Sequence, residues 1–252
     1  MIQYPSENFD DRPEGQIIDI LVLHYTGMKT GKAALERLRD SKSMVSAHYV
    51  IDEEGEVYQL VEEEDRAWHA GVSSWRGQKD INNRSIGIEL VNPGHEFGYV
   101  DFPRKQIKSL ITLITDIYSR HPIPARNVVA HSDVAPARKQ DPGEKFPWDR
   151  LAKAGFGLWP FKDRGTLEGG ACPLPLSEVQ DMLRLYGYEV SHSAEMDEPT
   201  TLALKAFQRH FRPALVDGNP DRETVVRLSW MVMEAMADKI ARLAGPEILE
   251  MG

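Results

Sequence analysis

The sequence lacks two kinds of feature that would set it apart from ordinary globular proteins. Its 252 residues include one cysteine, Cys172, which excludes an intrachain disulfide and a metal cluster built from thiolates. No apolar run approaches the roughly 20 residues that span a bilayer, and residues 1–15 are polar and acidic, unlike a signal peptide. We therefore expect a cytoplasmic protein, or a periplasmic one if a leader has been removed from the chain as given.

Positive charge is also in short supply. The sequence has 30 lysine and arginine residues against 39 aspartate and glutamate residues, a formal net charge of -9. This balance argues against a protein that binds the phosphate backbone of nucleic acids, because such a protein needs a basic face. The hydrophobic content of 41% and the charged content of 27% are those of a soluble globular protein.

Strand and helix patterns alternate over residues 16–154. This alternation predicts an α/β domain in which a mixed central sheet is flanked by helices. The predicted strands are at residues 17–23, 47–51, 56–60, 85–91 and 128–130, and the predicted helices are at residues 30–40 and 103–120.

Glycine and proline are dense from Gly155 to Pro175, where no periodicity is present. The later patterns are all helical, at residues 176–186, 199–211 and 221–243. These three helices predict a small bundle that buries one modest core. The predicted parts are therefore an α/β domain at residues 1–160, a linker at residues 161–175 and a three-helix domain at residues 176–252.

Two histidines stand where predicted buried strands end. His24 follows the run at residues 17–23, and His131 follows the run at residues 128–130. A lone histidine in such a position is most often a satisfied core residue. Two of them at the ends of two strands, with an aspartate nearby, favour metal ligands.

The loop after His131 adds a carboxylate and a cation. Pro142 disfavours helical backbone at the residue before it, so Asp141 is expected in an extended segment. Residues two apart in such a segment point the same way, which directs Lys139 and Asp141 into the space that His131 faces. The loop therefore predicts a metal with a catalytic cation beside it.

One carboxylate interrupts the apolar pattern of the strand at residues 85–91. Burying the charge of Glu89 is costly unless it is paired or bound to something. Two explanations stay open: a salt bridge to Arg84 or Arg104, or a general base that faces the metal cleft.

Aromatic and histidine side chains in the middle of the domain also have two readings. Trp68 and Trp75 are either core anchors or the apolar wall of a groove for a sugar peptide. His48 is expected to be structural. His69, which is next to Trp68 in a predicted loop, is either structural or in contact with the substrate.

Five blocks of the sequence carry a resemblance to a known family. They are Leu23-His24-Tyr25-Thr26, Ser46-Ala47-His48-Tyr49, Trp68-His69-Ala70-Gly71, Ser85-Ile86-Gly87-Ile88-Glu89 and the stretch from His131 to Gly143. Together they resemble the zinc-dependent type 2 N-acetylmuramoyl-L-alanine amidases, which are related to phage amidases and to peptidoglycan recognition proteins. The phage branch has a catalytic tyrosine where this chain has Ala47, so the resemblance assigns the proton transfer to Glu89.

The resemblance implies one catalytic zinc ion and a set of site residues. Those assigned are His24, His131 and Asp141 as zinc ligands, Glu89 and Lys139 in catalysis, and Trp68, His69 and Arg138 in substrate binding. Residues 178–188 and 200–208 resemble the three-helix peptidoglycan-binding domain, although residues 191–196 replace its usual glycine-rich turn.

The expected reaction is hydrolysis of the amide between the lactyl group of N-acetylmuramic acid, or of its anhydro form, and the first L-alanine of the stem peptide. The expected partners are muropeptides or the sacculus, without nucleic acid. A protein that only recognises peptidoglycan, a structural zinc site and a peptidase that cuts between amino acids are the alternatives. Deleting residues 172–252 is expected to spare the cleavage of small soluble muropeptides.

Overall fold

The computed structural model describes residues 1–160, 170–172 and 174–244, with side chains as far as residue 237. Most of the predicted linker, and residues 245–252 of the predicted helical domain, lie outside these residues. The strands are β1 (Ile2–Gln3), β2 (Phe9–Asp11), β3 (Ile20–Tyr25), β4 (Tyr49–Ile51), β5 (Val57–Gln59), β6 (Asp65–Ala67), β7 (Ser74–Trp75), β8 (Gln78–Lys79), β9 (Ser85–Leu90) and β10 (Val128–Ala130). The helices are α1 (Gly31–Arg39), α2 (Gly94–Phe97), α3 (Arg104–Arg120), α4 (His131–Val134), α5 (Trp148–Lys153), α6 (Leu176–Tyr186), α7 (Glu198–Phe211) and α8 (Arg222–Ala244).

A six-stranded sheet with the order β1-β5-β4-β9-β3-β10 forms the centre of the fold. Strands β4, β9, β3 and β10 are mutually parallel, whereas β4 and β5 form the antiparallel hairpin that the sequence predicts. The central strands are buried on both faces, which explains their nearly continuous apolar sequences. The mixed α/β architecture is confirmed.

Alternation along the strands gives the sheet two different apolar faces. On β3, Leu21 and Leu23 pack with the buried stripe of α3, whose members include Leu110 and Ile114. Ile20 and Val22 point to the opposite face, as His24 must, because residues two apart on a strand share a face. The candidate metal ligand therefore projects away from α3.

The C-terminal helices cover this second face. Val179, Leu183 and Phe207 of α6 and α7 belong to the same buried cluster as Ile20 and Val22 of the sheet. The sequence predicts a bundle with a core of its own, but the structure gives it a core that is continuous with the α/β part. The reason is that the sheet needs apolar cover on both faces, and α3 supplies only one. Over the described residues, no helix combines the length and hydropathy needed to cross a membrane.

Candidate metal centre and active site

Three side chains meet at one point beyond the carboxyl ends of the central strands. The Nδ1 atoms of His24 and His131 are 2.9 Å apart, and Asp141 Oδ2 lies 3.1 Å from the first and 3.0 Å from the second. All three residues are buried. The structure thus brings together the three residues that the sequence analysis names as metal ligands, although more than 100 residues separate the first from the other two.

Strand register explains why these residues meet. His24 is the partner of Glu89 across the parallel pair β3 and β9, and Leu23 is the partner of Ala130 across β3 and β10. His131 therefore follows β10 at the level of His24. Because neighbouring strands lie about 4.8 Å apart, one edge of the sheet presents both imidazoles and the carboxylate of Glu89 side by side.

The ring of His131 has a fixed tautomer. Its Nε2 lies 3.2 Å from the backbone oxygen of Ala70, and a carbonyl oxygen only accepts, so Nε2 carries the proton. The Nδ1 lone pair is then free to bind a cation. Burial, followed by repulsion from His131, lowers the pKa of His24 to about 4, so the His24 ring is neutral near pH 7.

The charge state of Asp141 suits the same role. Burial would raise the pKa of its carboxyl, but His131 and His24 outweigh burial and hold that pKa below its ordinary value. Two neutral imidazoles and one carboxylate form a donor set typical of catalytic zinc sites, which keep a fourth position open. Zinc bonds of 2.0–2.1 Å in tetrahedral geometry separate the ligand atoms by about 3.3 Å, close to the distances found here. The donor set therefore fits a metal ion.

Replacing Asp141 by alanine is expected to weaken metal binding strongly, because the site then keeps two ligands and loses its only anion. Metal content after dialysis against a chelator, measured by mass spectrometry, is the readout. Asp101→Ala is the matched control, since the Asp101 side chain is 91% exposed. Equal metal content in the Asp141 variant and the control would contradict the assignment.

The open side of the ligand group faces a cavity of about 620 Å³. The residues that line it include His69, Glu89, His131, Asp141, Lys139, Arg138, Trp68 and Tyr25. A larger cavity of about 750 Å³ lies between β7, β8 and α6, but none of the metal-ligand candidates lines it. The first cavity is therefore the candidate substrate site.

Glu89 is held at the wall of this cavity without an ion pair to the two arginines considered from the sequence. Arg84 pairs with Asp19 at 2.7 Å instead, and Arg104 is exposed at the start of α3. The Oε2 atom of Glu89 is buried and has no hydrogen-bond partner within the described part of the chain. Burial, reinforced by the negative charge of Asp141, raises its pKa well above the ordinary value. The salt-bridge explanation fails, and a carboxylate directed at the site remains.

Three other residues predicted at the site have distinct surroundings. Lys139 is exposed and lines the cavity beside Asp141. Trp68 also lines it, with its indole Nε1 donating to Asp10, whereas Trp75 is 1% exposed and is a core anchor. Arg138 reaches the cavity too, but its Nη2 atom donates to the backbone oxygen of Ala70 at 3.0 Å. Its guanidinium therefore stabilises the loop that orients His131.

His69 contacts the candidate metal ligand His24 on the side of the ring opposite Nδ1. The residue is 7% exposed, and its ring has Nδ1 at 3.1 Å from His24 Nε2 and Nε2 at 3.1 Å from Ser85 Oγ. The Asn82 side-chain oxygen accepts from the backbone N–H groups of His69 and Ala70, at 3.2 and 2.8 Å. A Cβ at Gly87 would lie 2.4 Å from the His69 ring, so glycine is required on β9 for the ring to pack there.

His48 is structural, in agreement with its expected role. It is buried, and its Nδ1 accepts from the Gly87 N–H at 3.0 Å, which ties the β4 edge to β9. Burial, followed by the charge of Arg12, lowers the pKa of His48 to about 3. The His48 ring is therefore neutral in the folded protein at pH values at which it is protonated in the unfolded chain.

His48 is expected to make the metal-free protein acid-sensitive. Between its unfolded pKa near 6.5 and its folded value, the unfolded chain binds one more proton, so the free energy of unfolding falls as the pH falls. His48→Asn, whose amide oxygen can still accept from Gly87, should reduce the loss between pH 7 and pH 5 by about 2 kcal/mol. Urea titrations at the two pH values measure the free energy of unfolding of the wild type and of the variant. If both proteins lose the same free energy of unfolding between pH 7 and pH 5, the prediction is contradicted.

A second group of side chains holds the loop that carries Asp141. The Tyr99 hydroxyl donates to the Pro142 oxygen at 2.6 Å, and Tyr99 stacks on His95. His95 in turn lies 3.0 Å from Glu144 Oε2. Sequence reasoning missed these residues, because an isolated histidine in the four-residue helix α2 gives no signal of its partner 49 positions later.

Asp133 is a further residue that the sequence did not single out. It is two positions after His131, in α4, and is 1% exposed. Its carboxylate accepts from Tyr188 and from His210 Nδ1, both at 2.6 Å, and from the Ala130 N–H at 2.8 Å. The C-terminal helical part therefore contacts the same short helix that begins with a candidate metal ligand.

Comparison with known proteins agrees with this geometry. Residues 14–144 match the family model described as N-acetylmuramoyl-L-alanine amidase, and residues 175–228 match a peptidoglycan binding domain. The amidase AmiD of Escherichia coli K12 is 39% identical over 238 residues, which cover 88% of this chain and 83% of AmiD. The 1,6-anhydro-N-acetylmuramyl-L-alanine amidase AmpD of Citrobacter freundii is 34% identical over 169 residues, which cover 58% of this chain and 86% of AmpD.

A solved structure extends the likeness to three dimensions. The complex of E. coli AmiD with the substrate anhydro-N-acetylmuramic acid-L-Ala-D-gamma-Glu-L-Lys superposes with a TM-score of 0.77 at 36% identity, covering 88% of this chain and 92% of that one. The match spans both the sheet and the C-terminal helices, and the resemblance read from the sequence blocks is confirmed. The chain belongs to the N-acetylmuramoyl-L-alanine amidase family.

Proposed function

We propose that this amidase holds one zinc ion with His24, His131 and Asp141 and cleaves the amide between a muramic acid lactyl group and L-alanine. The observation that carries the proposal is the convergence of three ligand atoms, 2.9 to 3.1 Å apart, next to a cavity that His131, Asp141 and Glu89 line. Zinc bound there would supply a Lewis acid and lower the pKa of a bound water to about 7.

Glu89 is the residue proposed to move the proton. Its carboxylate stands at the level of His24 on the neighbouring strand, and its buried Oε2 has no partner among the described residues. It can accept the proton of the attacking water and pass it to the leaving nitrogen, which cannot depart as an amide anion. Lys139 is proposed to stabilise the negative charge that develops on the carbonyl oxygen.

The substrate class we propose is the soluble muropeptide with a 1,6-anhydro sugar, cleaved during the recycling of wall fragments in the cytoplasm. Two relatives support this choice: AmpD is named for such a substrate, and the AmiD structure contains one. Trp68 offers an apolar wall at the cavity, which suits the face of a sugar ring.

Mass spectrometry of the products tests both the bond and the substrate. We expect purified anhydro-muropeptides to give free anhydro-N-acetylmuramic acid and intact stem peptides, faster than intact sacculi give peptides. Chelation should abolish cleavage and added zinc should restore it. Products cut between amino acids would overturn the bond assignment, and a preference for sacculi would overturn the substrate class.

A further inference from the structure

A chain of four polar groups runs from the backbone to the metal-ligand candidate His24. Ser85 Oγ lies 2.7 Å from the backbone oxygen of Ile81, His69 Nε2 lies 3.1 Å from Ser85 Oγ, and His24 Nε2 lies 3.1 Å from His69 Nδ1. All four residues are buried. The last atom of the chain, His24 Nε2, is on the opposite side of the ring from the Nδ1 atom that faces His131 and Asp141.

The backbone carbonyl at one end fixes the direction of every hydrogen bond in this chain. The Ile81 oxygen only accepts, so the single hydroxyl proton of Ser85 is donated to it. Ser85 Oγ then accepts from His69 Nε2–H, which leaves His69 Nδ1 as an acceptor. That atom accepts from His24 Nε2–H, and the His24 Nδ1 lone pair is left for a cation.

We propose that His69 and Ser85 are positioning residues for the metal centre: they hold His24 in the tautomer and ring orientation that present Nδ1 to the metal. The inference rests on the proposed function only in that it takes the three ligand candidates to bind a metal. Hydrogen bonds behind a ligating imidazole of this kind raise its basicity and fix its orientation, and their loss lowers metal affinity about 10- to 100-fold.

The surroundings of His69 favour this role over contact with substrate. Both of its ring nitrogens are engaged, one by His24 and one by Ser85, so neither is left for a ligand in the cavity. Its backbone is anchored by Asn82, and its ring lies against Gly87. The structure therefore gives a different account of His69 from the substrate contact that the sequence analysis considers.

The loop that contains His69 serves both imidazole ligands. The His69 ring accepts from His24, and the next residue, Ala70, accepts from His131 Nε2 through its backbone oxygen. One short segment thus sets the tautomers of two ligands that come from different strands. A shift of this loop would disturb both at once, which accounts for its tight anchoring by Asn82 and Arg138.

Zinc affinity, measured by competition with a chromophoric chelator, tests the proposal without reference to catalysis. His69→Leu keeps bulk but removes the acceptor and should raise the zinc Kd about 10- to 100-fold. His69→Asn, whose side-chain oxygen can lie near the position of Nδ1, should recover most of the affinity. Equal losses in the two variants would show that packing alone matters and would overturn the proposal.

A serine pair supplies the matched control. Ser85→Ala removes the group that sets the His69 tautomer and should weaken zinc binding several-fold. Ser132→Ala removes an equally buried hydroxyl next to His131, and Ser132 Oγ has no partner within the described residues. Its zinc Kd should match that of the wild type. If Ser85→Ala binds zinc as tightly as Ser132→Ala, the hydrogen-bond chain from Ser85 through His69 to His24 does not affect zinc affinity.

Nitrogen-15 NMR of the histidine rings tests the same hydrogen-bond chain in metal-free protein. We expect His69 to carry its proton on Nε2 in the wild type, and the other tautomer to gain population in Ser85→Ala. A proton on Nδ1 of His69 in the wild type would overturn the proposal. Failure of the wild type to bind zinc would refute the proposed function instead. The NMR result would still decide the direction of the hydrogen bonds between Ser85, His69 and His24.

Discussion

Glu89→Gln is expected to lower kcat on an anhydro-muropeptide by at least ~100-fold while zinc content stays at the wild-type level. Glutamine has nearly the same shape but cannot accept the proton of the attacking water or return it to the leaving nitrogen. Glu89 is not among the three ligand candidates, so metal binding should persist. A 100-fold loss corresponds to about 2.7 kcal/mol of transition-state stabilisation.

The same variant should not lose stability. The buried Oε2 of Glu89 has no partner within the described chain, and its pKa is raised because burial disfavours the charged form. A neutral amide at this position removes that cost, so we expect an unchanged or higher melting temperature for the metal-free protein. Lower activity without lower stability separates a catalytic role from a structural one.

Three measurements on one preparation test this prediction: product formation by chromatography, zinc content by mass spectrometry and thermal melting. Glu56→Gln, on the exposed β4–β5 turn, is the control for the chemical change and should behave as the wild type. Turnover of the Glu89 variant within a few-fold of the control would remove this residue from the mechanism.

Deletion of residues 172–252 is expected to abolish activity even on small soluble muropeptides, in contrast to what the sequence alone suggests. The deletion removes Val179, Leu183 and Phe207, whose buried cluster also contains Ile20 and Val22 of the central strand. Each large apolar side chain that loses its cover costs about 1.5–3 kcal/mol, and the net stability of a domain is only about 5–15 kcal/mol. The truncated chain should therefore be insoluble or poorly folded.

Soluble yield, circular dichroism and cleavage of an anhydro-muropeptide measure the effect of the deletion. A full-length variant covers the case in which the truncated chain cannot be purified. Tyr188→Phe removes only the hydroxyl that donates to Asp133 at 2.6 Å, and should lower the free energy of unfolding by about 1–3 kcal/mol because a buried carboxylate loses a donor.

The control for this variant is Tyr58→Phe, because Tyr58 is half-buried and its hydroxyl makes only a 3.4 Å contact with Asp52. We expect it to change the stability by less than about 1 kcal/mol. A truncated chain that melts and turns over like the wild type would contradict the shared core. It would restore the view of the C-terminal helices as a separate module.

Much of the fold could be predicted because local patterns and the tertiary structure agree. The apolar runs at residues 17–23 and 85–91 became β3 and β9, and the helical spacing at residues 103–120 became α3. The candidate ligands could be named because each histidine ends a buried strand, where a polar side chain needs a specific reason. The loop predicted after His131 begins instead with the short helix α4, since Ala135 N–H bonds back to the His131 oxygen.

The roles of individual polar groups could not be predicted. Whether Glu89 pairs with an arginine depends on where Arg84 points, and Arg84 points to Asp19. Whether His69 touches substrate depends on how its ring is turned, and its nitrogens are engaged by Ser85 and His24. Hydrogen bonds between groups tens of residues apart leave no periodic trace in a sequence.

The amino-acid sequence by itself determined the longer strands and helices and the residues able to hold a metal, because hydrophobic periodicity and side-chain chemistry are properties of the local chain. Only the tertiary structure decided that the C-terminal helices complete the second face of the sheet, and that Tyr188 and His210 reach Asp133 next to the candidate metal site. Both features depend on the register of parallel strands and on the packing of segments that are distant in the sequence. These are fixed only when the whole chain folds around one core.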